Sequence, residues 1–182
     1  MRGLSLATLP WSARICCTLF LLGMGLGCLA AVTQAATAIG LSYRDVVSSL
    51  APEMSMTPMQ HGQLSAEKEI DIEQLRHTAK VWIRTPLLIQ TSHTHLFGQT
   101  LLAGFLGGIL LLSSLREWSK ALILALPFIG TFLDIGGMWL SRFVWEPFAV
   151  LVLLGGSLFA LGYVLIAGIA LYDMWLKREM HP

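Results

Sequence analysis

Charge is scarce in this chain. Only 13% of its 182 residues are Asp, Glu, Lys or Arg, against 55% hydrophobic residues. With a net charge of +1 there is no electrostatic case for nucleic acid as a partner. Cysteine is nearly absent too: Cys16, Cys17 and Cys28 all fall in the first hydrophobic stretch. No loop cysteine exists to pair with them, so neither a disulfide framework nor a cysteine metal site can be read. The chain has no CxxCH, which excludes covalently attached c-type haem. It also lacks a glycine-rich phosphate loop, a GxSxG elbow, a kinase signature, internal repeats and low-complexity tracts.

What is present is apolar sequence in long runs. A membrane span needs about 20 mostly apolar residues, and four stretches meet that, at about residues 15–36, 96–115, 121–140 and 148–175. The expected fold class is therefore an all-α integral membrane protein. It comprises a four-transmembrane-helix bundle with a short external helical segment between spans 1 and 2. Divided by composition, residues 1–36 form an N-terminal membrane anchor, 37–92 an external amphipathic segment, and 93–182 a three-span bundle.

Cationic flanks resist translocation and so orient the spans. Arg2, Arg14, Arg116, Lys120, Lys177 and Arg178 fall on one side, whereas the short loop on the other holds only Arg142. The loop at 37–92 is near the length at which its charges stop counting. Both termini are thus expected in the cytoplasm, with the protein in a cell inner (plasma) membrane. Trp139 and Trp145 fit an outer aromatic belt, and Trp118 and Trp175 an inner one.

The first stretch has a rival reading. Basic residues, an apolar run and then Ala36-Thr37-Ala38 also describe a cleavable secretory signal. The run exceeds the usual signal core, and Gly23, Gly27 and Ala31 form a small-residue face suited to helix packing. A lipoprotein reading at Gly25-Leu26-Gly27-Cys28 is weaker, because a glycine stands where an aliphatic residue is wanted.

In the external segment, Ser42 is placed to cap a short helix through Leu50, stopped by Pro52. Pro58 and Gly62 break the chain. Ser65 opens a longer helix with Glu67, Glu69 and Asp71 early and Arg76, Lys80 and Arg84 late, matching the helix dipole. Ile72, Leu75, Ala79 and Trp82 give that helix one apolar face, and Pro86 is expected to end or kink it. The segment is too short for an independent enzymatic domain.

Chemistry concentrates in Ser92-His93-Thr94-His95-Leu96-Phe97-Gly98-Gln99, at the entry to the second span. Two histidines one residue apart diverge by about 200° on a helix. They line up only in extended chain. An intermediate arrangement has His93 in the entry turn, and His95 on the helix above Gln99. Asp134 is the only acidic residue well inside a span, and an intramembrane carboxylate is a functional candidate by default. Gly130, Asp134, Gly137 and Ser141 form one small and polar stripe, with Asp134 about 10 Å below the outer end of its span. The expected partners of Asp134 are His93, His95 and Arg142, with Glu146 nearby.

Three classes of function remain open. The first is an accessory or cofactor-binding subunit of a bacterial-type membrane redox system, with His93, His95, Gln99, Asp134 and His77 around haem b or a quinone at the outer face. Haem held by two histidines needs them on different elements, so His77, His61 or a second subunit would have to supply the other ligand. The second class is copper or zinc handling or transport. Met54, Met56, Met59 and His61 are a soft set suited to Cu(I), extended by His93 and His95. Zinc would draw on His93, His95, His77 and Asp134, without HExxH spacing. The third class is structural or assembly, with polar residues only locking helices. Gly104 with Gly108, and Gly156, Ala160, Val164 and Gly168, form smooth faces for close packing, including packing on other membrane subunits. Asp173 reads as an ordinary surface pair with Lys177, and His181 as solvated.

Overall fold

A computed structural model describes residues 5–50 and 83–177. A 3-10 turn at Leu6–Thr8 leads into α1 (Trp11–Ala38), which is followed by the short α2 (Tyr43–Leu50). Then come α3 (Thr85–Leu111), α4 (Glu117–Phe143), a 3-10 turn at Glu146–Phe148, α5 (Ala149–Leu171) and a π-helical turn at Tyr172–Leu176. Among the described residues, four helices are long and apolar enough to cross a membrane. A 27-residue helix such as α3 or α4 is roughly 40 Å long against a hydrocarbon core of about 30 Å. The chain is thus an all-α, multi-pass membrane protein. Its outward faces agree: Leu26, Phe97, Leu101, Phe132 and Val164 are all more than 60% exposed, a surface suited to lipid rather than to water.

Local chemistry sets the helix ends. α1 stops at Gly40, whose φ of 95° is open to glycine and strained for other residues. Its N–H and that of Ile39 both reach the Ala35 carbonyl, at 2.9 and 3.0 Å. Ser42 caps α2 as expected, accepting from the Asp45 N–H at 3.2 Å while its hydroxyl donates to the Asp45 carboxylate at 2.7 Å. Pro86 departs from expectation. It sits in the first turn of α3, where a residue without an N–H costs no hydrogen bond and its fixed φ suits a helix start. The span therefore begins about ten residues earlier than hydropathy suggests, and His93 and His95 both lie well inside it.

The helices alternate in direction, giving a basic end and a loop end. At the basic end Leu6 donates its N–H to the Leu112 carbonyl at 2.9 Å. Arg14 donates to the carbonyls of Ala7, Leu9 and Met174, the last on the turn after α5. Lys120 donates to the Leu111 carbonyl at 2.9 Å and to Glu117 at 3.0 Å, closing the C-terminus of α3. Asp173 differs from the surface pair expected of it. It is 3% exposed and accepts from the Ser114 N–H at 2.7 Å and the Ser114 hydroxyl at 3.0 Å. The tight α3–α4 connection leaves that amide without a helical partner, and the carboxylate supplies one. At the loop end Val46, Leu50, Ile83, Leu88 and Ala149 form a small core. There the Ile83 N–H reaches the Ser49 carbonyl at 3.0 Å.

α4 and α5 pack backbone to backbone through glycines seven residues apart on each helix. A Cβ at Gly130 would meet the Gly155 carbonyl and the Phe159 nitrogen at 2.7 Å, and one at Gly137 would meet the Val152 nitrogen at 2.7 Å. One at Gly155 would collide with the Asp134 backbone, and one at Gly162 with Pro127 at 2.6 Å. The faces expected from spacing alone are different: Gly104, Gly108, Gly156 and Gly168 have nothing within 4 Å, and neither do Gly23 and Gly27. Small-residue spacing finds smooth helix faces, but which face meets a neighbour inside the chain depends on helix rotation. α1 is held loosely, with Leu21 its one buried residue. Its contacts include Tyr163 of α5 donating to the Leu21 carbonyl at 2.6 Å, Trp175 of the following turn donating to Thr18 at 3.1 Å, and Phe20 edge-on to Phe105 of α3.

Candidate functional site

Helical continuity through residues 92–99 decides the geometry of the candidate motif. Ser92, His95 and Gln99 recur at i, i+3 and i+7, which places them on one face of α3. That face meets α4. Ser92 Oγ accepts from the Trp139 indole N–H at 2.8 Å. Two turns along α3, the Gln99 amide N–H donates to Asp134 Oδ2 at 3.5 Å, the long end of hydrogen-bond range. Asp134 is 7% exposed, and the His95 imidazole lies within electrostatic range of it.

His93 is elsewhere. It is exposed on the far side of α3, its ring tilted against that of Phe97 with centroids 4.9 Å apart. The arrangement in which the two histidines converge required extended chain, and α3 removes it. Arg142, the other partner expected for Asp134, reaches the Leu50 carbonyl at 3.4 Å at the loop end. Glu146 is exposed in the turn before α5, where its carbonyl accepts from Ser141 at 3.3 Å. Met54, Met56, Met59, His61 and His77 lie outside the described residues. Among the described residues, no three His, Cys, Asp or Glu side chains gather as a metal site would need.

The cluster is also deeper than hydropathy placed it. α4 continues to Phe143, so Asp134 is nine residues, roughly 14 Å, from that end of the helix. Gln99 is near the middle of α3. His95 and Gln99 are each half-buried, whereas Asp134 across from them is buried.

Two hydrogen-bond details define what the seam offers. His95 Nδ1 lies 2.9 Å from the Thr91 carbonyl. A carbonyl only accepts, so Nδ1 carries the proton, and in the neutral ring Nε2 is left with a lone pair. Gln99 Oε1 is buried with no hydrogen-bond partner, an uncommon state for a buried acceptor. The sequence marks His95, Gln99 and Asp134, but not Ser92 with Trp139. The i, i+3, i+7 recurrence of Ser92 with His95 and Gln99 is the signal that would have found the seam. Gly130 and Gly137 stood out in the sequence as part of the stripe with Asp134, whereas Gly155, which meets Gly130 from α5, and Gly162 were legible only as a repeat of seven.

These features define a polytopic helical membrane protein with a polar seam buried between two spans. Residues 84–181, more than half of the chain, match the Aq_1264_TM family model, described as a transmembrane helical domain, and the chain belongs to that family. The matched region starts one residue before α3 and contains the whole seam. No curated protein and no solved structure matches the chain.

Proposed function

We propose that this protein is an accessory, cofactor-binding subunit of a bacterial-type membrane redox system, and that its seam hydrogen-bonds a quinone head group. One observation carries the reading: a buried carboxylate, Asp134, beside a half-buried imidazole and an amide oxygen, Gln99 Oε1, that has no partner. Buried polar groups in a span are costly and persist where they bind or relay something. The half-buried His95 and Gln99 leave part of the seam within reach of a ligand that arrives through the bilayer. His95, Gln99 and Asp134 are the binding residues in this reading.

A quinone is favoured over haem b because α3 points His93 away from His95, leaving one imidazole in the seam. Bis-histidine haem would need a second ligand from His77, His61 or another subunit. Copper or zinc would similarly need the Met54, Met56, Met59 and His61 segment to fold over the seam. Partner subunits have open glycine faces available at Gly104 with Gly108 and at Gly156 with Gly168. The inner membrane and cytoplasmic termini follow in this reading from Arg14, Arg116, Lys120 and Lys177 sharing one end. Retention of the first span is supported by the docking of Leu6 and Arg14 on the other helices.

A second, structural reading draws on a specific observation as well. The Ser92–Trp139 and Gln99–Asp134 hydrogen bonds both cross from α3 to α4, as they would in a seam that only locks helices. One experiment separates the readings. Protein purified from native membranes in mild detergent is solvent-extracted for quinone, recorded as a reduced-minus-oxidised visible spectrum, and analysed for metals. The expected result is bound quinone that is lost in His95→Ala and kept in His93→Ala. A haem spectrum dependent on His93, or stoichiometric copper or zinc, would replace the quinone reading. Protein free of all three would leave the structural one.

A further inference from the structure

We infer that the outer half of α1 is a hinged strut that closes onto the Gly156 and Ala160 face of α5, from which it stands apart in this structure. The two helices run antiparallel and are tied at two levels. Toward the inner end, Tyr163 donates to the Leu21 carbonyl at 2.6 Å, and a Cβ on Gly25 would lie 2.7 Å from the Tyr163 oxygen. At the outer end, Ile39 packs on the core that contains Ala149, the first residue of α5. Gly25 to Ile39 and Ala149 to Tyr163 are each a stretch of fourteen residues, about 21 Å of helix. Val32 is the midpoint of the first and Gly156 of the second, seven residues from either tie and so on the same face as both. The helices nonetheless part there. Val32 is 52% exposed, Gly156 has nothing within 4 Å of its Cβ position, and Ala160 is exposed.

The backbone supplies the joints. α1 carries glycine at 23, 25 and 27, just past the part of the helix that Arg14, Thr18 and Leu21 hold in place. Gly25 makes room for the Tyr163 hydroxyl, but Gly23 and Gly27 have nothing within 4 Å, so no neighbour among the described residues requires them to be small. Glycine in an unpacked helix interior weakens the helix and lets it bend. The second joint is Gly40, whose φ of 95° ends α1 ahead of α2. Between the joints α1 has no buried residue, so the strut is held by its ends. Lipid chains are as apolar as these helices, which leaves little driving force between the open and the closed position. Small residues let two backbones approach closely, and in the closed position Val32 lies over Gly156 and Ala160.

The test is disulfide trapping in the full-length protein in native membranes, with Cys16, Cys17 and Cys28 replaced by alanine and cysteines introduced as Val32→Cys and Gly156→Cys. A disulfide joins Cβ atoms about 3.8 Å apart, closer than anything lies to the Gly156 position in the open form. Copper phenanthroline should trap this pair, read in the intact mass as the loss of one hydrogen per thiol. Ala30→Cys with Gly156→Cys should stay unlinked, because residue 30 lies on the opposite side of α1 from Val32. Stiffening the joint with Gly23→Ala and Gly27→Ala should slow trapping by about fivefold or more. Trapping at Val32 no faster than at Ala30 overturns the inference, and so does a rate that the two alanines leave unchanged. Ala160→Cys against the native Cys28, a single exposed substitution, gives the same reading by peptide mapping if the first pair folds poorly, and its failure to link overturns the inference as well.

Discussion

Replacing Gly155 by alanine should unfold this bundle far more readily than the same change at its neighbour Gly156. At Gly155 the new methyl would lie 2.6 Å from the Gly130 carbonyl oxygen and against the backbone of Asp134. Carbon and oxygen ordinarily approach to about 3.3 Å at closest, so α4 and α5 must part locally by roughly 0.7 Å. No side-chain rotamer can absorb this, because the atoms in the way belong to helical backbone. A gap of that size forfeits a quarter to a half of the dispersion energy along the opened contact. With the strain of overpacking, the expected loss is roughly 2–3 kcal/mol. Gly156 faces open space, with nothing within 4 Å, and alanine there should change stability by about 0.5 kcal/mol or less. Both variants can be titrated with SDS in mixed micelles and followed by tryptophan fluorescence. Equal stability of the two, or a larger loss at Gly156, would refute the backbone-contact account of α4 and α5.

Three other outcomes are expected. Asp134→Asn keeps the shape of the side chain and lets the new amide donate to Gln99 Oε1, so stability in the same titration should hold or rise by up to roughly 1 kcal/mol, while extracted quinone falls. A large loss of stability would instead mark Asp134 as a helix lock. Asp173→Ala removes the buried carboxylate that accepts two hydrogen bonds from the exposed Ser114 and should cost roughly 1–2 kcal/mol, whereas Lys177→Ala should cost little. Comparable effects from the two would restore the surface-pair reading of Asp173. Intact-mass analysis of protein isolated from membranes should find Leu6 and Arg14 still in the chain, and a mass beginning near residue 39 would mean that the first span is a cleaved signal.

The amino-acid sequence by itself determined the solvent and the class. Apolar runs longer than a bilayer is thick leave a chain little choice but helices, because lipid cannot satisfy backbone N–H and C=O groups. It also marked His95, Gln99 and Asp134, since ionisable and amide side chains stand out where almost everything else is apolar. The start of α3 was misjudged because hydropathy reports burial in lipid, whereas a helix starts where its backbone can, and Pro86 is as good at opening a helix as at closing one.

Everything that depends on rotation about a helix axis was decided only by tertiary structure. That His93 faces outward while His95 faces Asp134, that Gly155 rather than Gly156 touches a neighbour, and that Asp173 turns inward to Ser114 are all choices between faces of one helix. Membrane helices here are apolar nearly all round, so the pattern of side chains carries little to favour one rotation over another. Close backbone approach at the glycines, and the few hydrogen bonds that polar groups must find in lipid, supply the preference instead.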